Sequence, residues 1–250
     1  MDALIDRIAA AKVETLVLTV DTPVAANREN NVRAVFSTPL RPSMSLAIEG
    51  ITHPQWLVKT FLQTLYRHGM PHFENNYATR GAPIMSSNVL RDFSDRGHLN
   101  WSHVVKTRAR WKGVLVIKGI LNPRDAKTAQ TIGADGIIVS NHGGRQLDGS
   151  IAPLLILPRI IEAAPNLVVM LDSGIRRGTD VMKAMALGAK AVFVGRPFNY
   201  AAVVAGEQGV SHAIKLICDE LKRDLGLLGI PSSRELDESI LMGSSHLNYK

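Results

Sequence analysis

Four short apolar runs, Val114 to Ile117, Gly136 to Val139, Leu167 to Leu171 and Ala191 to Val194, alternate with helical patterns and so restrict the chain to a parallel β/α architecture. Each run is continuous rather than alternating, the pattern of a strand covered on both faces. Helix punctuation lies between them. Asn122-Pro123-Arg124-Asp125 offers an N-cap followed by proline in the first turn, and Gly133 supplies a stop. Thr179 to Leu187 is closed by Gly188 in the same manner. A fifth apolar run, Thr15 to Val20, lies far upstream.

The C-terminal ends of these runs carry Asp21, Lys118, His142 with Arg145, Asp172 with Arg176, and Gly195 with Arg196. In a parallel sheet those ends share one rim, so residues distant in sequence converge there. One charged residue at a strand end is commonplace, whereas five in succession point to a site for a small anion. In Ser140-Asn141-His142-Gly143-Gly144-Arg145-Gln146-Leu147-Asp148 a proton acceptor and an anion clamp stand three residues apart. Alone, that motif reads equally as a turn with a solvated arginine. The glycines and arginines of Asp172-Ser173-Gly174-Ile175-Arg176-Arg177-Gly178 and Gly195-Arg196-Pro197 suit a phosphate, through backbone N–H groups, helix N-termini and bidentate guanidinium contacts. Neither G-x-G-x-x-G nor G-x-x-x-x-G-K-[ST] occurs.

Composition narrows the function classes. The formal charge of +7 is scattered, without a polybasic block or interleaved aromatics, so nucleic acid is not an expected partner. The longest apolar runs fall short of the roughly 18 residues of a membrane span, and the N-terminus lacks a signal-peptide layout. A single cysteine, Cys218, excludes an internal disulfide, fits a reducing cytoplasm and is expected as a small core residue. His53, His68, His72, His98 and His103 lack a compact ligand spacing, so no metal site is expected.

Thr19-Val20-Asp21-Thr22-Pro23 with Arg28, Ile117-Lys118-Gly119, the Ser140 to Asp148 segment, Asp172-Ser173-Gly174-Ile175-Arg176 and Gly195-Arg196-Pro197 together resemble the FMN-dependent 2-hydroxy acid dehydrogenases and oxidases. The motifs keep their order and span nearly the whole chain. The resemblance implies a (β/α)8 TIM barrel, with the five runs as its fourth to eighth strands. It implies His142 as base, Asp21 as its carboxylate partner, Arg145 as clamp for the substrate carboxylate and Arg28 as added positive charge beside the substrate. Lys118 is implied beside the flavin N1 and C2 carbonyl, Thr19 and Ser140 as further flavin contacts, and Asp172, Ser173, Gly174, Arg176, Gly195 and Arg196 around the phosphate. A carboxylate beside the histidine agrees with this chemistry, because it fixes the tautomer and stabilises the imidazolium formed on proton uptake. The implied reaction is oxidation of an (S)-2-hydroxy acid, of L-lactate or mandelate type, to the 2-oxo acid. FMN passes the electrons to quinone, a cytochrome or oxygen, and homo-oligomers are implied for full-length members.

Lys118, His142, Asp172 and Arg196 recur at intervals of 24 to 30 residues, so eight units need about three more before Asp21. Only twenty residues precede it, and Asp2 to Ala11 reads as the helix leading into the fourth strand. The expectation is one partial domain over 1–250, N-terminally truncated to about strands 4 to 8. Two tyrosines and the early flavin contacts implied by the resemblance have no counterparts here. A complete five-stranded doubly wound domain is the competing fold.

A long insertion, about 29–112, carries prolines at 39, 42, 54, 71 and 83. Within it, Pro54 to His68 has apolar residues at helical spacing, suiting either packing on the barrel or a membrane surface. Thr52-His53-Pro54-Gln55-Trp56 and Pro71-His72 are similar to the respiratory-chain-linked bacterial branch, which implies peripheral contact with the inner face of the cell membrane. Val210, Ala213, Ile214, Ile217, Leu221, Leu225 and Leu228 predict a C-terminal helix packed on the barrel, and Ser232 to Glu235 a capping box opening a final short helix. Two other functions stand beside the oxidoreductase: a remnant that at most binds FMN, and another FMN barrel enzyme such as an isoprenoid diphosphate isomerase.

Overall fold

The computed structural model describes residues 2–24, 26, 29, 33, 43–73, 80–84 and 98–241. They divide into two compact units, one of 1–14 and 23–98, the other of 15–22 and 99–250. The second unit carries the sheet.

Its strands are β1 (Thr15–Thr19), β2 (Val114–Ile120), β3 (Gly136–Val139), β4 (Val168–Asp172) and β5 (Val192–Phe193). All four pairings are parallel, and the spatial order β1-β2-β3-β4-β5 is the sequence order. That order decides between the two candidate folds. A doubly wound sheet reverses its strand order at a switch point, whereas a barrel steps one way throughout. The helices obey the same rule. Side chains of α6 (Pro123–Ile132), α7 (Pro153–Ala163) and α8 (Gly178–Ala186) share one buried cluster with a single sheet face, formed by Ile117, Ile137, Val139, Val169 and Leu171.

Alternation places Val17, Thr19, Val116, Lys118, Ile138, Met170, Asp172 and Phe193 on the other face, and the register aligns Thr19 with Lys118 and Asp172 with Phe193. This is the inner face of the curve. Its centre is buried at Val116 and Ile138, but Val17 is 46% exposed, Val168 49% and Phe193 45%.

Local signals explain the elements. Asn122 caps α6 by accepting from the Arg124 N–H at 2.9 Å, Pro123 opens it, and Gly133 ends it at φ 85°. At the opposite rim Arg108, on α5 (Trp101–Arg110), donates to Asp135 at 3.0 Å and to the Gly113 carbonyl at 2.8 Å, while Asp135 accepts from the Leu115 N–H. This clamp fixes the start of β2 against that of β3.

Two expectations are corrected. The last long helix, α9 (Arg196–Leu228), is broken at Ala205 and Gly206, and of its predicted core stripe only Ile217 and Leu221 pack on the cluster; Ile214 and Leu228 are about half exposed. Cys218 follows Ile217 by a 100° step around this helix and is exposed rather than a core residue. The short helix expected after Ser232 is present as one turn, Ser233–Glu235: the Ser232 hydroxyl accepts from the Arg234 N–H, and Leu236 is already extended.

The first unit holds α1 (Asp2–Ala10), α2 (Met44–Thr52) and a helical run over 54–68 made of α3 (Pro54–Trp56), wider π-type turns at Leu57–Leu62, and α4 (Gln63–His68). Trp56 stacks on Phe61 at 5.8 Å. Met44, Ile48, Ile51, Val58 and Leu62 are exposed. No helix among the described residues is long and apolar enough to cross a membrane.

Candidate active site

The loop after β3 is built to present His142. His142, Gly143 and Gly144 all adopt left-handed backbone, with φ of 57°, 68° and 70°. Such a conformation costs a non-glycine residue about 1 kcal/mol or more and persists only where surroundings impose it. Here the Ser140 hydroxyl accepts from the His142 N–H at 3.0 Å, the Asn141 side chain accepts from the Gly144 N–H at 3.1 Å, and Arg196 donates to the Gly143 carbonyl at 2.8 Å. The ring is held as well: His142 Nδ1 lies 3.1 Å from Asp21 Oδ1, at the end of β1.

Asp21 is 12% exposed and its other oxygen is buried without a hydrogen-bond partner among the described residues. Gly119 makes room for it. A β-carbon at Gly119 would stand 2.5 Å from Asp21 Cβ, and the residue has φ 104°. Gly119→Ala is therefore expected to lose about 1–3 kcal/mol of stability and to displace the carboxylate, checked by urea unfolding.

Lys118, Ser140 and Asp172 form a second cluster beneath the loop. Lys118 Nζ lies 3.1 Å from Ser140 Oγ and 3.0 Å from Asp172 Oδ2, and Ser140 Oγ donates to Asp172 Oδ2 at 2.9 Å. Asp172 Oδ1 accepts from the Ser173 N–H at 2.7 Å. Burial works to raise the Asp172 pKa, but the hydrogen bond and charge of Lys118, with the Ser140 hydroxyl and Ser173 N–H, outweigh it and hold the carboxyl below its ordinary value. A group depressed in the folded state contributes stability above its unfolded pKa and loses it as pH falls through the folded value. Lys118→Met is thus expected to move the acid-unfolding midpoint to higher pH, measured by circular dichroism.

Both clusters border a cleft of about 400 Å³ lined by Lys118, His142, Arg145, Asp172, Arg176 and Arg196, with Ser173, Gly174 and Gly195 among its backbone walls. The two adjacent arginines diverge. Arg176 faces the cleft, whereas Arg177 pairs with Glu220 of α9 at 2.6 Å. Gly174 and Gly195 lie where an added β-carbon would meet nothing, and Gly195 precedes the first turn of α9. Ser140 is fully buried below the cleft, and Thr19 sits beside Lys118 in register but does not line it. Arg28 lies outside the described residues. Phe193 and Asn199 also line the cleft and were not anticipated. Strand alternation signals Phe193, and Asn199 follows Arg196 by one helical turn.

The cleft combines a carboxylate-supported histidine, a lysine, and three arginines beside glycine loops, a set suited to an anionic substrate and a phosphorylated cofactor. The family model described as FMN-dependent dehydrogenase matches residues 1–243. The chain belongs to this family. Among curated relatives, the L-lactate dehydrogenase of Ectopseudomonas mendocina (strain ymp) is 40% identical over 244 residues, covering 95% of this chain and 62% of that protein. That of Pectobacterium atrosepticum is 38% identical over 246 residues, covering 97% and 62%. The chain therefore spans under two thirds of the length of these relatives. Of solved structures, the monotopic membrane protein (S)-mandelate dehydrogenase superposes with a TM-score of 0.81 at 33% identity, covering 94% of this chain and 61% of that one. A mandelate oxidase superposes at 0.67 with 32% identity, covering 94% and 58%. The five parallel strands thus correspond to part of a barrel of the FMN-dependent dehydrogenase type.

Proposed function

We propose that the cleft holds FMN and serves the oxidation of an (S)-2-hydroxy acid, of L-lactate or mandelate type, to the 2-oxo acid, with His142 as base. The observation that carries this reading is the His142–Asp21 contact of 3.1 Å at the edge of a cleft that Arg145 and Lys118 also line.

The residues fit the cofactor. Gly174 and Gly195 leave the backbone open to a phosphate, Arg176 and Arg196 supply cations beside it, and the start of α9 adds its dipole. Lys118 stands at the cleft wall as a positive charge for the ring edge. When bound, FMN supplies the two-electron acceptor. The chain's own residues do the rest. Arg145 has no ion-pair partner among the described residues and is free to take the substrate carboxylate in a bidentate contact. Nδ1 of His142 is committed to Asp21, which leaves Nε2 to accept the substrate proton, and the carboxylate stabilises the resulting imidazolium.

The test is anaerobic addition of L-lactate, glycolate or (S)-mandelate to the FMN-loaded chain. Loss of flavin absorbance with one acid is expected. A second reading, FMN binding without turnover, is favoured by the exposure of Val17, Val168 and Phe193 on the inner face. Yellow protein that none of the acids bleaches would select it.

Peripheral membrane contact is part of the proposal. Met44, Ile48 and Ile51 on α2, and Val58 and Leu62 beyond it, expose apolar side chains at helical spacing, with Lys59, Arg67 and His68 nearby. The likeness to a monotopic (S)-mandelate dehydrogenase supports it, and a membrane quinone is the acceptor such a surface suits. Flotation with anionic vesicles is expected at low salt and, weaker, at high salt. Absence of lipid association at both would remove this part.

A further inference from the structure

Of the titratable side chains that line the cleft among the described residues, Asp172 is the one carboxylate, beside Lys118, His142, Arg145, Arg176 and Arg196. A carboxylate facing a phosphate site opposes the charge the site needs, so its presence calls for another use. The geometry supplies one. Neither oxygen faces a free cation of the cradle: Oδ1 takes the Ser173 N–H, and Oδ2 takes Lys118 Nζ at 3.0 Å and the Ser140 hydroxyl at 2.9 Å. Ser140 Oγ in turn receives Lys118 Nζ and the His142 N–H, and lies 3.4 Å from Ser173 Oγ. Lys118 and Asp172 are only 21% and 20% exposed, so this pair is not a solvent-screened surface contact. It stays well defined because Lys118 comes from β2, Ser140 from the end of β3 and Asp172 from the end of β4, three adjacent parallel strands whose β2–β3 register shifts just past Lys118.

We propose that Asp172 is a positioning residue for Lys118: its carboxylate fixes the ammonium at the cleft wall and offsets part of its charge, setting the reduction potential of the flavin lower than an unpaired lysine would. This rests on the FMN reading and extends it. A positive charge beside the ring favours the anionic reduced form and raises the potential, so a counter-ion on that charge lowers it. Ser140 completes the device by tying the same lysine to the His142 loop.

Four proteins test it, all as full chains loaded with FMN: wild type, Asp172→Asn, Lys118→Met, and the double variant. The readout is the midpoint potential against a reference dye. Asp172→Asn is expected to shift the reduction equilibrium about tenfold toward reduced flavin, about 30 mV for a two-electron couple. Lys118→Met is expected to shift it the other way. In the Lys118→Met background the Asp172→Asn effect is expected to shrink, because the carboxylate then has no ammonium beside the ring to hold or offset. An apo measurement accompanies these: the carbon-13 titration of the Asp172 carboxyl moves upward in Lys118→Met. That arm decides the pairing even where Asp172→Asn fails to fold.

An unchanged potential in FMN-saturated Asp172→Asn overturns the proposal. So does an equal shift in both backgrounds, which a purely structural role gives, or weakened FMN affinity with no change of potential, which marks Asp172 as a direct ligand. Failure of the wild-type chain to bind FMN is a distinct result. It overturns the cofactor reading, and this inference with it.

Discussion

His142→Gln is expected to slow substrate-driven flavin reduction by about 10²- to 10⁴-fold, the usual contribution of a positioned general base. The glutamine keeps a polar side chain of similar length at the rim but offers no nitrogen that takes up a proton. His142 is held at φ 57° by the hydrogen bond from its N–H to Ser140, and that backbone contact survives the substitution. Flavin occupancy is therefore expected to be retained, so rapid mixing under anaerobic conditions reads the chemical step alone. Asp21→Asn is expected to fall in the same range, because an amide at 3.1 Å from Nδ1 no longer stabilises the imidazolium. Equal reduction rates in wild type and His142→Gln would remove the histidine from the chemistry.

Arg145→Lys is expected to lower kcat/KM for the hydroxy acid by about 10²- to 10³-fold, mostly through KM, although the charge is conserved. A guanidinium meets a carboxylate with two parallel hydrogen bonds, each charge-assisted contact contributing about 1.5–3 kcal/mol, whereas an ammonium makes a point contact on a flexible stem. Arg145 follows the left-handed His142-Gly143-Gly144 turn directly, so its backbone is placed by the same constraints that place the base. Steady-state kinetics across several 2-hydroxy acids check this. A rise in KM common to all of them is the mark of a carboxylate clamp, and a rise confined to one acid contradicts it.

The rim was legible because parallel strands end together: continuous apolar runs located β2, β3 and β4 to within a few residues, and their polar ends named Lys118, His142 and Asp172. The consecutive strand order was not readable from those runs alone, since a doubly wound sheet gives the same alternation of strands and helices. Adjacent arginines were harder. Only packing on α9 separates Arg177, which meets Glu220, from Arg176, which faces the cleft. Ser140 shows the same limit: the resemblance implied a flavin contact, while the structure places its hydroxyl at the junction of Lys118, Asp172 and His142. Long-range hydrogen bonds of this kind leave no periodic trace. Nor does Gly119, whose requirement comes from Asp21, 98 positions away in the chain, or Gly178, where a β-carbon would stand 2.5 Å from Leu221 N. The break at Ala205 and Gly206 and the wider turns at Leu57–Leu62 were likewise not signalled by the apolar periodicity.

The most direct test of the account is an anaerobic single turnover in which both products are counted, the reduced flavin by absorbance and the 2-oxo acid by chemical derivatisation. The account predicts 2-oxo acid formed in step with flavin reduction by the FMN-loaded chain, and neither signal on the same timescale in His142→Gln. Flavin-loaded wild-type protein that yields no 2-oxo acid from L-lactate, glycolate or (S)-mandelate would contradict it.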